Sequence, residues 1–141
     1  MLTIRPATVA DAALIKTMIT ELAEYESMPE QVRITDADIA RDGFGAHPQF
    51  HTLIAEWSSA PVNFALFFHY YSTWRGAGLY LEDLFVRPDF RRRGIGTSLL
   101  AGVARVAEGE NRAFVRWAVL DWNRSVLLAG EGLKKLVARD G

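Results

Sequence analysis

Two stretches hold the residues that could do chemistry. The first is LYLEDLFV (79–86), where Glu82 and Asp83 interrupt an apolar run. An acid in such a run needs a cation, a proton or a hydrogen-bond partner, and carboxylates near a reacting centre serve as bases. Alternation along a strand would send the two acids to opposite faces, so only one could face a given cleft. The second stretch is RRRGIGTSLL (91–100), three arginines before two glycines and a polar-to-apolar run. A helix starting between Gly94 and Thr97 offers unpaired backbone N–H groups backed by the positive end of its dipole. Glycines let an anion approach the backbone, and Arg91, Arg92 and Arg93 add donors suited to phosphate oxygens.

Two familiar phosphate loops fit this turn badly. A P-loop needs Gly-Lys-Ser/Thr, whereas Gly96 is followed by Thr97-Ser98. A dinucleotide fingerprint needs a third glycine where Leu99 stands, and a turn directly off the strand. The plain alternative is a helix start with solvated arginines, and glycine spacing alone leaves both readings open.

Composition narrows the classes. The 141 residues suit one domain, and with half of them hydrophobic the chain can bury a core. A formal charge of −1 argues against a general nucleic-acid binder. The absence of cysteine excludes disulfides, thiolate metal sites and a cysteine nucleophile. No apolar stretch reaches spanning length, and MLTIRPATVADAA lacks a signal-peptide pattern. The default expectation is a soluble cytoplasmic protein with no membrane partner. Without a secretory signal, Asn123-Arg124-Ser125 is a coincidental match to a glycosylation acceptor. His47, His51 and His69 lack metal-ligand spacing, and no metal is expected.

The elements that must position these residues follow from periodicity and punctuation. Thr3–Arg5 reads as a strand ended by Pro6. Thr8 with Asp11 makes a capping-box pair, followed by apolar residues at helical spacing from Leu14 to Leu22; this helix fades near Tyr25. Thr35 with Asp38 repeats the pattern for a short helix ending at Gly43. Segments 50–57, 62–71 and 78–86 read as strands. A helix runs from Gly96 to about Glu108, and 113–120 is another strand. The order is β-α-α-β-β-β-α-β plus a final segment open to a helix. This is an α/β (α+β) domain, with helices packed on a mixed sheet.

The residues LYLEDLFVRPDFRRRGIGTSLL resemble the acetyl-coenzyme A signature of the GNAT N-acetyltransferase superfamily, through Pro88, Phe90, Arg91, Gly94 and Gly96. RPATVADA, ELAEYE, DGFGAHPQFH, LYLEDLFV and LDWN are similar, in order and spacing, to the diamine (spermidine/spermine or thialysine) acetyltransferase branch. The resemblance covers about residues 3–125 and implies the GNAT fold, a mixed, mostly antiparallel central sheet with helices on both faces. It implies that the backbone of Leu84, Phe85 and Val86 pairs with the pantetheine arm, and that the turn Arg91–Thr97, including Ile95, holds the pyrophosphate. It further implies that the strand carrying Arg116, Trp117 and Ala118 splays away from 78–86 to make room, with Asn123 beside the coenzyme. Tyr25, Glu26 and Glu82 would contact a small cationic amine, with Glu82 as base, directly or through a water. Asp83 would face the other side. Without the resemblance, Glu26 reads as a solvated acid at a helix end; Glu21 and Glu24 read as surface. Relatives in this branch are dimers, which implies a homodimer here.

The tail departs from the family pattern. Relatives continue after the asparagine with Pro-Ala/Ser-x-x-Phe-Tyr, a helix whose tyrosine protonates the leaving thiolate. Here Gly130 stands where that tyrosine belongs, and no tyrosine follows Tyr80. The sequence also stops before the strands that usually complete the sheet. An N-acetyltransferase acting on a polyamine, diamine or thialysine-like substrate is the first expectation. An acyl-coenzyme A-binding protein with little turnover, a sensor or partner subunit, is the second.

Overall fold

In the computed structural model, which describes residues 1–118 and 125–140, six strands form one sheet in sequence order. They are β1 (Leu2–Pro6), β2 (His51–Trp57), β3 (Ala60–Ser72), β4 (Gly76–Val86), β5 (Phe114–Ala118) and β6 (Ser125–Ala129). Neighbours are antiparallel except β4 and β5, which run parallel. The helices are α1 (Ala12–Tyr25), α2 (Asp36–Phe44), α3 (Ile95–Gly109) and α4 (Gly130–Asp140).

Alternation along the strands builds a core on each face. Ile54, Phe64, Leu66 and Phe85 pack with Met18 of α1, while Ile15 and Ile39 join α1 to α2. Leu53, Ala55, Ala65 and Phe67 point the other way, onto Leu99, Val103 and Ala107 of α3 and Leu133 of α4. The helices therefore cover both faces, as the sequence led us to expect. Both capping pairs close at helix entries. Thr8 N–H donates to Asp11 at 2.8 Å, opening a short turn before α1. Thr35 and Asp38 bond reciprocally at 2.9 and 3.1 Å at the start of α2.

The tail differs from its expectation. Ser125–Ala129 forms a strand along the full length of β5, from Phe114↔Ala129 to Ala118↔Ser125, before α4 begins. The physical reason is β5's outer edge, whose backbone groups need partners; the apolar run Val126-Leu127-Leu128 can supply them from a pleated strand. Trp74 is 96% exposed at the β3–β4 hairpin. It occupies the turn itself, where no element packs.

Two features of β4 shape the site. Its pairing with β5 is confined to Leu79↔Val115 and Tyr80↔Arg116. The contact is close because Gly78 lies against the Phe114 ring, which would clash with any side chain there. Beyond Tyr80 the strands diverge. On its other side, Leu66 pairs with Asp83 but Phe67 pairs with Leu81, so Glu82 is an extra residue in a β-bulge.

Candidate active site

The divergence of β4 and β5 leaves one edge of residues 81–86 without a strand partner among the described residues. Unpaired N–H and C=O groups in such a row can bond an extended ligand as another strand would. Directly beyond, α3 begins. Gly94 is its N-cap at φ +76°, a left-handed conformation that glycine takes without steric cost. The first intrahelical bond there runs from Ser98 N–H to the Gly94 carbonyl at 3.0 Å. Helix geometry leaves the N–H groups of Ile95, Gly96 and Thr97 pointing out of the turn. Arg92 also has positive φ, +65°, a strain that tends to persist where the surrounding structure enforces it.

Leu84, Phe85, Val86, Arg91, Arg92, Gly94, Ile95, Gly96 and Thr97 line one cleft of about 730 Å³ with Tyr25 and Glu26 of α1. The structure thus gathers nearly all of the residues picked out for cofactor and substrate. Arg93 does not line the cleft; its guanidinium lies 5.1 Å from the Trp57 ring centroid and 5.2 Å from that of Phe90. Asn123 lies outside the described residues. Arg91 donates to the Val86 carbonyl at 3.1 Å and to the Tyr25 hydroxyl at 2.9 Å, with its guanidinium 4.4 Å from the Tyr25 ring centroid. Those residues fit acetyl-coenzyme A: an open strand edge for its amide-bearing arm, then cations and free N–H groups for its phosphates.

The acids sit where the strands part. Glu26, Glu82 and Asp83 line a second cavity of about 560 Å³ together with Leu81, Leu84, Trp117 and Ala118. The same three acids line a third, of about 550 Å³, bounded by α1 and residues 31–34. The expectation that Glu82 and Asp83 face opposite ways is therefore corrected, and the bulge is the reason. An extra residue breaks the period-two alternation, so both acids reach the same cavities. Glu82 is exposed, whereas Asp83 is partly buried. Burial pushes the Asp83 carboxyl up to about 7, with the negative charges of Glu82 and Glu26 adding to the shift. A carboxyl in that range can both hold and release a proton at neutral pH.

Contacts between distant residues lay beyond the sequence reading. Glu21, expected on the surface, pairs with Arg87 at 2.7 and 2.9 Å. No local signal marks this pairing, because the partner is 66 residues away. The His51 and His69 rings lie 5.3 Å apart between centroids, tilted by 41°, and His69 meets Glu110 at 3.1 Å. Among the described residues no three His, Cys, Asp or Glu side chains could hold a metal ion.

Comparison with known proteins agrees with this geometry. The profile of the acetyltransferase (GNAT) family matches residues 15–127. The thialysine N-epsilon-acetyltransferase of Sus scrofa is 42% identical over 145 aligned positions, covering 97% of this chain and 84% of the relative. The spermidine/spermine N(1)-acetyltransferase-like protein 1 of Homo sapiens is 35% identical over 129 positions, covering 86% of this chain and 19% of that protein. Among solved structures, an aminoglycoside acetyltransferase from an uncultured soil metagenomic sample superposes with a TM-score of 0.71. It is 15% identical, with 84% of this chain and 77% of that chain covered. An aminoglycoside N-acetyltransferase solved in complex with CoA gives 0.66 at 19% identity, covering 84% and 77%. With the family profile spanning most of the sequence and the Sus scrofa relative matching nearly all of it, the chain belongs to the acetyltransferase (GNAT) family, as an N-acetyltransferase.

Proposed function

We propose that the protein moves an acetyl group from acetyl-coenzyme A to a primary amine of a small cationic molecule: a lysine-like amino acid such as thialysine, or a diamine or polyamine. One observation carries this reading. Three acids, Glu26, Glu82 and Asp83, converge on cavities that adjoin the anion cradle along the same strand edge. A cationic amine needs that negative lining to bind, and a base to become a nucleophile.

In this reading, bound acetyl-coenzyme A supplies an activated thioester. Arg91, Arg92 and the N–H groups of Ile95–Thr97 hold its phosphates, and the backbone of Leu84–Val86 aligns its arm. The exposed Glu82 meets the ammonium group, directly or through a water. Asp83, poised near 7, keeps the proton balance of the pair. A backbone N–H near Leu84 or Phe85 faces the oxygen that gains charge as the amine adds. With Gly130 where the family pattern places a tyrosine, water protonates the departing thiolate; a thiol pKa of about 8.5 makes this tolerable. A cytoplasmic homodimer acting without metal, nucleic acid or membrane belongs to the same reading.

Within the substrate class, the third cavity favours a zwitterion. Among the described residues lining it, Arg33 is the one cation, beside Glu26, Asp42, Glu82 and Asp83. Asp42 is already engaged by Arg41 at 2.9 Å. Arg33 can thus receive an α-carboxylate while the side-chain amine meets the acids. The test is competition between thialysine, lysine, ornithine, putrescine and spermidine, with the acetylated product identified by mass spectrometry. An amino acid acetylated on its side-chain amine, with preference lost in Arg33→Ala, is the expected result. Preference for a polyamine that Arg33→Ala leaves unchanged would move the assignment to that branch.

A further inference from the structure

Arg87 is the first residue after β4 and begins the connector that leads to the anion cradle. Four interactions fix it. Its backbone N–H donates to Asn63 Oδ1 at 2.6 Å, and Nη1 donates to the Pro61 carbonyl at 3.1 Å. Nε and Nη2 donate to the two carboxylate oxygens of Glu21 at 2.7 and 2.9 Å. Asn63 is completely buried, so the backbone anchor is held inside the core. The Glu21 pair is a side-on, two-bond contact with both side chains about two-thirds covered, at 29% and 33% exposed. Charge-assisted forks of this geometry fix orientation as well as distance.

Its place in the fold gives the fork its meaning. Glu21 belongs to α1, the helix that carries Leu22, Tyr25 and Glu26 into the cleft. Arg87 belongs to the segment that ends at Gly94 and the start of α3. Of the two walls, one reaches the cofactor and the other the amine. Elsewhere the end of α1 touches the connector through Arg91, whose guanidinium is exposed and lies in the cleft itself. The Arg87 fork stands outside the cleft lining, where a bound ligand would leave it intact.

We infer that the Glu21–Arg87 pair is a positioning clamp that sets the distance between the amine-binding end of α1 and the cofactor turn. Neither residue touches the reacting atoms. The pair acts through Tyr25 and Glu26 on one side and through Arg91–Gly94 on the other. Loss of the clamp lets α1 shift against the turn, which weakens both ligands together. The inference rests on the acetyl-coenzyme A and amine assignments above.

The test uses Glu21→Gln, Arg87→Met, their double variant, and the exchanged pair Glu21→Arg with Arg87→Glu. Coenzyme A binding is read by calorimetry without any amine, so this arm stands even if no amine proves to be a substrate. KM for the amine and the melting temperature are read alongside. Each single variant should weaken coenzyme A binding and raise the amine KM, by up to about a hundredfold, the scale on which misplacements of about 1 Å act. The double variant should be no worse than either single one, and the exchanged pair should recover part of the loss. Single variants that melt earlier yet keep wild-type constants in the folded fraction would show mere structural support and overturn the clamp. So would losses that simply add in the double variant.

Discussion

Asp83 is ionised only at a cost, because burial and the charges of Glu82 and Glu26 oppose its negative form. Its folded-state value, about 7, lies above the ordinary 3.8. Between those limits the folded chain holds more protons than the unfolded chain, so this group lowers stability as pH rises from 4 to 7 and adds no change above. Asp83→Asn should therefore gain stability over the wild type across that window. The ceiling is about 4 kcal/mol at pH 8, and the gap should close near pH 4. Urea unfolding at both pH values measures it; a gap independent of pH would contradict the shifted carboxyl. The same variant should remove an ionisation near 7 from the pH profile of amine acetylation. The pair Glu82-Asp83 stood out in the sequence because acids in an apolar strand demand a partner or a use, and only the family resemblance singled out Glu82 as the base. The placement of Asp83 was not legible, since it depends on a one-residue mismatch between β3 and β4 that leaves no mark on either strand alone.

Among the elements, α3 carries the clearest sequence signature and the most direct test. Its N-cap Gly94 has φ +76° with open space around the missing side chain, so Gly94→Ala is resisted by backbone strain and by no clash. The expected effect is about 1–2 kcal/mol in stability together with weaker coenzyme A binding. Unchanged coenzyme A affinity would separate the helix start from the phosphate cradle. The strand β6 shows the opposite case. Its five residues carry neither turn signals nor strict alternation, and the family resemblance pointed to a helix there. Tertiary pairing along β5 decides the outcome. Hydrogen exchange should protect alternate amides of Ser125–Ala129 together with those of Phe114–Ala118. Uniformly fast exchange at 125–129 would remove β6 from the sheet.

At the scale of the molecule, the sheet order and the splay of β4 from β5 make a place where two ligands can meet. Local patterns made most of this readable: two capping boxes, three aromatic-rich strands and the Arg-Gly turn each predict an element from adjacent residues. Contacts between distant residues escaped, notably Glu21 with Arg87, because nothing in either segment names the other. The central claim is that the acids and the anion cradle form one reaction site. The measurement that tests it most directly is thiol release from acetyl-coenzyme A as the concentration of a small cationic amine is raised, in the wild type and in Glu82→Gln. The account predicts saturable, amine-dependent release that falls by about a hundredfold to ten-thousandfold in the variant, the usual contribution of a catalytic base. Amine-dependent release that survives unchanged in Glu82→Gln would contradict it, as would a folded protein that binds coenzyme A yet releases no thiol with any amine.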